Sequence, residues 1–308
     1  LSVQIEDWVP VEAIFEVAEA VKRLFDKHGD RVNRHQARLR FVVERVGLDE
    51  FRRLYREELD EVKRESISHP AIRVPNESLP SGSRLVPELD DADYHAWIAC
   101  YTVAQKQPGF LTVTIHLPLG DITASALQAV GELASIGDGT LRTTQEQDLQ
   151  VRGVPVAEAY RVYRALKSID ERLVATPVVT TVACAGASTC KLGLCLSRGL
   201  ADAIESELAD ASISFDGPIR ISGCPNCCGH HPIAAIGFYG SAKRVDGKLA
   251  PYYVVTVGGR LAQGAAKLGT DIARVPARAI PRLLKAFWCA AELNKRDGES
   301  LNDLMDRW

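Results

Sequence analysis

From position 11 onward Ile14, Phe15, Ala18, Val21, Leu24 and Phe25 recur three and four residues apart. Residues at that spacing share one face of a helix, so the pattern predicts an amphipathic helix that ends near Gly29. Pro10 suits its first turn. A second helical pattern over 34–46 stops at Gly47, and a third runs through Phe51, Leu54, Leu59 and Val62 with a densely charged outer face. Residues 1–68 therefore read as a helical segment. Between 69 and 90 the pattern dissolves into Pro70, Pro75, Pro80 and Pro87 with Ser78, Ser81, Gly82 and Ser83. Such a stretch predicts an extended connector rather than a packed element, and a boundary is expected within 69–95.

Beyond the connector, 110–117 alternates and is rich in β-branched residues, which predicts a strand. A helix is expected over 123–136, two short strands over 141–144 and 149–151, and a helix over 156–166. Residues 96–175 thus form a compact α+β unit. Farther on, 178–184 reads as a buried strand, 194–208 as a helix, 219–222, 234–240 and 252–257 as strands, and 277–293 as a helix. This second alternation of strand and helix predicts a mixed α/β domain over 176–308. No internal repeat or low-complexity tract is seen.

Composition narrows the function classes. The chain has 308 residues, 25% of them charged, with a formal net charge of −3. That balance gives no reason to expect nucleic acid or an anionic membrane surface as a partner, so any anion site must be built locally. No apolar run reaches the roughly 18–20 residues that a membrane span needs, and the first ten residues lack a secretion-signal pattern. A cytoplasmic protein is expected. The chain opens on Leu1 rather than Met and enters patterned sequence at once, so it is expected to be the C-terminal part of a longer polypeptide.

The chemistry gathers in the cysteines. Of Cys100, Cys184, Cys190, Cys195, Cys224, Cys227, Cys228 and Cys289, most crowd into two short stretches. In a reducing compartment that clustering favours metal ligation over disulfides. Cys184-Ala-Gly-Ala-Ser-Thr-Cys190 lies where a strand is expected to end and a helix to begin, and Cys224-Pro-Asn-Cys227-Cys228-Gly229 lies just past another strand. Iron–sulfur clusters need thiolates, since soft anionic sulfur binds iron and offsets its charge. Small residues between the cysteines let the backbone wrap a bulky cluster, and a helix start after Cys190 would stabilise the negative charge. The competing reading is a structural zinc site, because Cys224 and Cys227 make a two-residue spacing of the zinc-ribbon kind. The five-residue gap of the first pair fits zinc poorly.

These two motifs resemble the signature of the sirohaem-containing nitrite and sulfite reductases, a Cys pair five residues apart followed by a pair three residues apart. The stretch Ser222-Gly-Cys-Pro-Asn-Cys-Cys-Gly229 resembles the second motif with its flanks. The resemblance extends along the chain. Asn33-Arg34-His35-Gln36-Ala37-Arg38-Leu39 is similar to the helix closing the family's first half. Residues 105–110, Leu117-Pro-Leu-Gly-Asp121 and Leu141-Arg-Thr-Thr-Gln-Glu-Gln-Asp148 are similar to its second ferredoxin-like repeat. The resemblance implies an α+β fold: a helical segment, a ferredoxin-like half-domain, then a mixed α/β domain binding sirohaem and a 4Fe–4S cluster. It implies that Cys184, Cys190, Cys224 and Cys228 hold the cluster, that Cys228 also bridges to the sirohaem iron and is catalytic, and that Asn226 and Arg142 contact the cofactor. The implied activity is the six-electron reduction of sulfite to sulfide or nitrite to ammonia, with ferredoxin or a flavoprotein as electron donor. A cluster-only electron-transfer module without sirohaem is the alternative. The family's main substrate-binding Arg and Lys residues belong to the half that this sequence lacks.

Other residues carry two readings. Arg142 matches, by pseudo-symmetry, a sirohaem contact of the other repeat, but pseudo-symmetry is weak evidence and an ordinary strand-end salt bridge is the favoured reading. Cys227 sits between two ligands as a bystander. Cys100, Cys195 and Cys289 are expected to be buried, inert thiols. His230 and His231 follow the ligand loop and invite either a proton-donating or a structural role. Lys191, Arg198, Asn33, Arg34 and Arg38 could face cofactor carboxylates or simply solvent. Gly258 and Gly259 mark a turn; without a third glycine they do not make a dinucleotide site.

Overall fold

The computed structural model describes residues 3–33, 36–66, 68–69, 90–176, 179–209, 219–261, 266–299 and 301–307. The chain divides into two units, Leu1–Asn76 and Glu77–Trp308. Arg34 and most of the expected connector lie outside the described residues.

In the first unit the helical spacing becomes helices α1 (Ile14–His28), α2 (Leu39–Val46) and α3 (Leu48–Glu65). Their apolar faces meet in a core of Ala20, Leu24, Val42, Phe51, Tyr55, Leu59 and Val62. Gly47 joins α2 to α3 at φ 84°, a backbone conformation that side chains resist. Glu58 is 7% exposed within α3 and is matched by Lys27 at 2.6 Å. Arg23 of α1 grips Glu65 of α3 through two hydrogen bonds, 2.7 and 2.8 Å.

The second unit begins with α4 (Ala92–Tyr101), capped by the Asp91 side chain, which accepts the Tyr94 N–H. There follow β1 (Thr102–Ala104), β2 (Phe110–Ile115), α5 (Ala124–Leu133), β3 (Leu141–Thr143), β4 (Leu149–Pro155) and α6 (Ala159–Ile169). The strands form an antiparallel sheet in the order β1-β2-β4-β3. Val113, Ile115 and Val151 on one face pack with Val130 of α5, Leu166 and Tyr163 of α6 and Trp97 of α4. This is the ferredoxin-like half-domain expected from the resemblance. The sequence pattern missed α4, because Tyr94, Trp97, Ile98 and Tyr101 leave it without a polar stripe.

The rest of the unit holds β5 (Thr181–Ala183), α7 (Ser197–Leu208), β6 (Ile219–Ser222), β7 (Ile236–Val245), β8 (Lys248–Val257), β9 (Thr270–Pro276), α8 (Ile280–Asn294) and α9 (Leu301–Arg307). The sheet order is β5-β6-β7-β8-β9; β5, β6 and β7 run parallel, and β7, β8 and β9 alternate in direction. Ile219, Ile221, Phe238 and Tyr253 pack beneath Ile204 and Leu208 of α7 and Leu284 and Trp288 of α8. The fold is α+β. Strand β9 escaped the sequence reading because its side chains are mostly exposed and do not alternate clearly. Among the described residues no helix is long and apolar enough to cross a membrane.

Candidate iron–sulfur centre

Parallel strands deliver their C-terminal ends to one edge of a sheet, where open α/β sheets place ligands. β5 ends at Ala183 and Cys184 follows; β6 ends at Ser222 and Cys224 comes two residues later. The parallel ladder continues into the first loop, where the Cys184 N–H donates to Ile221 O at 3.1 Å. Both cysteine loops therefore leave the same edge of one sheet, side by side.

The loops are also interlocked. The N–H groups of Leu194 and Cys195 both donate to Gly223 O, at 2.9 and 3.0 Å. The Gly223 N–H points the other way, at Cys184 Sγ, 3.1 Å distant. Backbone amides aimed at sulfur are the hydrogen bonds that cluster-bound cysteines accept. This close approach is possible only without side chains. A Cβ on Gly223 would stand 2.6 Å from Gly186 Cα and 2.9 Å from Cys195 O, and one on Gly240 of β7 would strike Gly223 O.

Within the first loop the backbone folds on itself: Cys190 N–H donates to Gly186 O, Gly193 N–H to Cys190 O, and Ala187 N–H to Cys195 O. Those bonds, with the two to Gly223, occupy 194 and 195 and delay the helix. α7 starts at Ser197 rather than at the expected 194. Its first residue serves Cys184, not Cys190: Ser197 Oγ donates to Cys184 O at 2.6 Å and lies 3.5 Å from Cys184 Sγ.

The second loop is held differently. Cys227 and His230 adopt left-handed backbone at φ 61° and 57°, each at a cost of about 1–2 kcal/mol for a residue with a Cβ. Ser222 Oγ accepts the Gly229 N–H at 3.0 Å and shares a hydrogen bond with His231 Nδ1 at 2.9 Å. His231 is 4% exposed and its ring lies against Tyr239. Burial lowers its pKa to about 4, so the ring is neutral at neutral pH. It ties the turn to Ser222 at the end of β6, whereas His230 is exposed.

Cys184 is half-buried and Cys224 buried; Cys190, Cys227 and Cys228 are exposed, as is Asn226. The Cys228 thiol donates to Asn226 O at 3.8 Å, a weak contact. The structure brings the loops together but does not gather the thiols around one ion: among the described residues no three His, Cys, Asp or Glu groups could hold a single metal. A cube of four irons is wider than one ion, and thiolates around it stand correspondingly farther apart. The small-residue cradle and the amide on Cys184 Sγ fit such a group.

The expectation for two cysteines needs correction. Cys100 and Cys289 are exposed, on the outer faces of α4 and α8, not buried. Cys195 is buried as expected, its thiol donating to Ser241 O and Tyr252 O, both at 3.3 Å, and burial pushes its pKa up. Arg142 makes the strand-end salt bridge, with Asp138 at 2.7 Å. Arg198 pairs with Asp121, while Lys191 and Arg38 are exposed. Gly258 and Gly259 form the expected turn, their N–H groups donating to Ala235 O and Ala234 O.

The architecture is a ferredoxin-like half-domain joined to a sheet that carries two cysteine loops. Comparison with known proteins specifies it. Residues 103–169 match the nitrite/sulfite reductase ferredoxin-like half domain, and 2–63 match the nitrite and sulphite reductase 4Fe-4S domain. Ferredoxin–nitrite reductase of Synechococcus elongatus is 27% identical over 280 residues, covering 86% of this chain and 48% of that protein. Sulfite reductase [ferredoxin] 1 of Mycolicibacterium paratuberculosis is 28% identical over 274 residues, 85% of this chain and 45% of that one. The solved Mycobacterium tuberculosis NirA protein superposes with a TM-score of 0.70 at 23% identity, covering 99% of this chain and 54% of the other. These matches and named relatives support the nitrite and sulfite reductase family, whose named members are oxidoreductases, and indicate a 4Fe–4S cluster and sirohaem as cofactors. It spans about half the length of the curated relatives it matches. Both matched stretches lie outside 184–228, so the ligand assignment rests on the motifs and the loop geometry.

Proposed function

We propose that this chain is the cluster-bearing part of a reductase that carries nitrite to ammonia or sulfite to sulfide, with ferredoxin as donor. Cys184, Cys190, Cys224 and Cys228 would hold the 4Fe–4S cluster, and Cys228 would also meet the sirohaem iron. The observation that carries this reading is the pairing of the two cysteine loops at one edge of the parallel strands, with the Gly223 N–H on Cys184 Sγ.

When bound, the cluster and sirohaem supply single-electron transfer and the iron at which the anion is reduced; the protein sets ligands, charge and access. The chain's own contribution is positional. Gly223 donates to one thiolate, while Ser197 ties the backbone of that same cysteine to the start of α7. Ser222 and His231 pin the turn that presents Cys228. Cys228 is exposed, as a thiolate shared with a second cofactor must be. Asn226, two residues before it, is also exposed, and its amide would meet the same cofactor.

The test uses the full-length protein, purified without oxygen. Cys228→Ser is expected to abolish reduction of both anions by reduced ferredoxin and to change or remove the sirohaem bands of the visible spectrum. Unchanged turnover with an unchanged haem spectrum would refute the bridging role. A wild-type spectrum with cluster absorption but no sirohaem bands would instead favour an electron-transfer module.

A further inference from the structure

Strand β5 is three residues long and lies at the edge of its sheet, with β6 on one side only. Thr180 O and the Cys184 N–H pair with β6. By the alternation of a strand, the N–H and C=O of Ala183 then face away from β6, and an unpartnered edge beside a ligand loop would leave that loop loosely held. The edge is not open. Gln147 Nε2 donates to Ala183 O at 3.0 Å, and the Ala183 N–H donates to Gln147 Oε1 at 3.2 Å. One primary amide thus makes both hydrogen bonds of a missing neighbouring strand, at the residue immediately before Cys184.

The ferredoxin-like unit goes to some expense to hold that amide. Gln147 has left-handed backbone at φ 68°, a strain of about 1–2 kcal/mol. The turn around it is closed by Thr144 Oγ1, which accepts the N–H groups of Glu146 and Asp148 at 3.3 and 3.1 Å. Asp148 in turn accepts the Leu117 N–H at 2.8 Å. Opposite, Gly120 leaves room: a Cβ there would stand 3.0 Å from Gln147 Cβ. Strain kept in place by surrounding bonds is what a position with a task looks like, and only a side chain with one donor and one acceptor at this length can do this one.

We infer that Gln147 is a positioning residue for the iron–sulfur centre, fixing through the backbone of Ala183 the first of the four thiolates and so coupling the ferredoxin-like unit to the cluster. The inference rests on the ligand assignment proposed above. Groups beyond the metal's own ligands commonly change metal retention about 10- to 100-fold when removed.

The experiment compares wild type, Gln147→Met, Gln147→Glu and Cys184→Ser in the full-length protein, reading the rate of iron loss to a chelator and the electron-paramagnetic spectrum of the reduced cluster. Gln147→Met keeps length without hydrogen bonds, and Gln147→Glu sets a second acceptor against Ala183 O. Both are expected to lose iron about 10-fold faster or more, with an altered spectrum, while the circular dichroism stays that of wild type. Wild-type iron retention and spectrum in both would overturn the inference, even where Cys184→Ser loses the cluster. If Cys184→Ser keeps the cluster, the ligand assignment fails instead. Hydrogen exchange gives a readout independent of loading: the Ala183 amide is expected to be protected in wild type and to exchange faster in Gln147→Met. Should that variant not fold, rapid exchange of Ala183 in wild type overturns the inference and protection upholds it.

Discussion

The two cysteine loops leave neighbouring strands of one sheet, yet they are made rigid by opposite means. The first, between β5 and α7, is long and built of small residues. It is wound by its own backbone bonds and anchored from outside by Gln147. The second, after β6, is short and carries two left-handed residues with side chains. It is anchored from within by Ser222 and the buried ring of His231. A long loop can be tied down by many weak bonds. A short one has few amides to spend, so strain and one buried side chain do the holding.

The contrast is sharpest where the loops touch, and breaking it there should cost most. Gly223→Ala puts a Cβ against two backbones, at Gly186 and Cys195, and neither can rotate away as a side chain would. The expected loss is about 3 kcal/mol of unfolding free energy in urea, at the upper end of what overpacking costs. Iron content should fall with it, because the same shift draws the Gly223 N–H off Cys184 Sγ. A variant with wild-type stability and full iron would mean that the loops are not locked together as the geometry requires.

How much of this could be read beforehand follows the same physics. The helices and central strands were legible because burial on one side writes a period into the sequence: α1, β2 and β6 fall where spacing puts them. The cysteine spacing named the candidate ligands. What stayed hidden was carried by backbone or by chain-distant contact. Nothing near Cys184 announces that Gln147 completes the edge of its strand, since Gln147 and its partner Ala183 are 36 residues apart. That α7 starts late could not be seen either, because Leu194 and Cys195 continue an apolar pattern while their N–H groups are committed to Gly223 O. The exposure of Cys100 and Cys289 defeated composition, as helical cysteines read alike on either face.

The second loop offers a milder test through pH. In the unfolded chain His231 protonates near its ordinary 6.5, but in the folded chain burial holds it to about 4. Below pH 6.5 the unfolded state takes up a proton that the folded state refuses, so the stability His231 confers is complete above 6.5 and lost as pH falls toward 4. Between pH 7 and pH 5 the expected loss is about 2 kcal/mol. Subtracting the pH profile of His231→Asn isolates it from the carboxylates. Parallel profiles for the two proteins would mean that the ring is not buried neutral in solution.

The smallest effect separates strain from ligation within the adjacent pair Cys227 and Cys228. If Cys227 is a bystander whose cost is its left-handed backbone at φ 61°, then Cys227→Ala should keep both metal centres at unchanged stability, and Cys227→Gly should keep them too while adding about 1 kcal/mol. The Ala variant controls for the thiol and the Gly variant for the backbone, so each isolates one property of the residue. Loss of the cluster in either would exchange the roles of the two cysteines, and the short loop would then owe its shape to a ligand and not to strain.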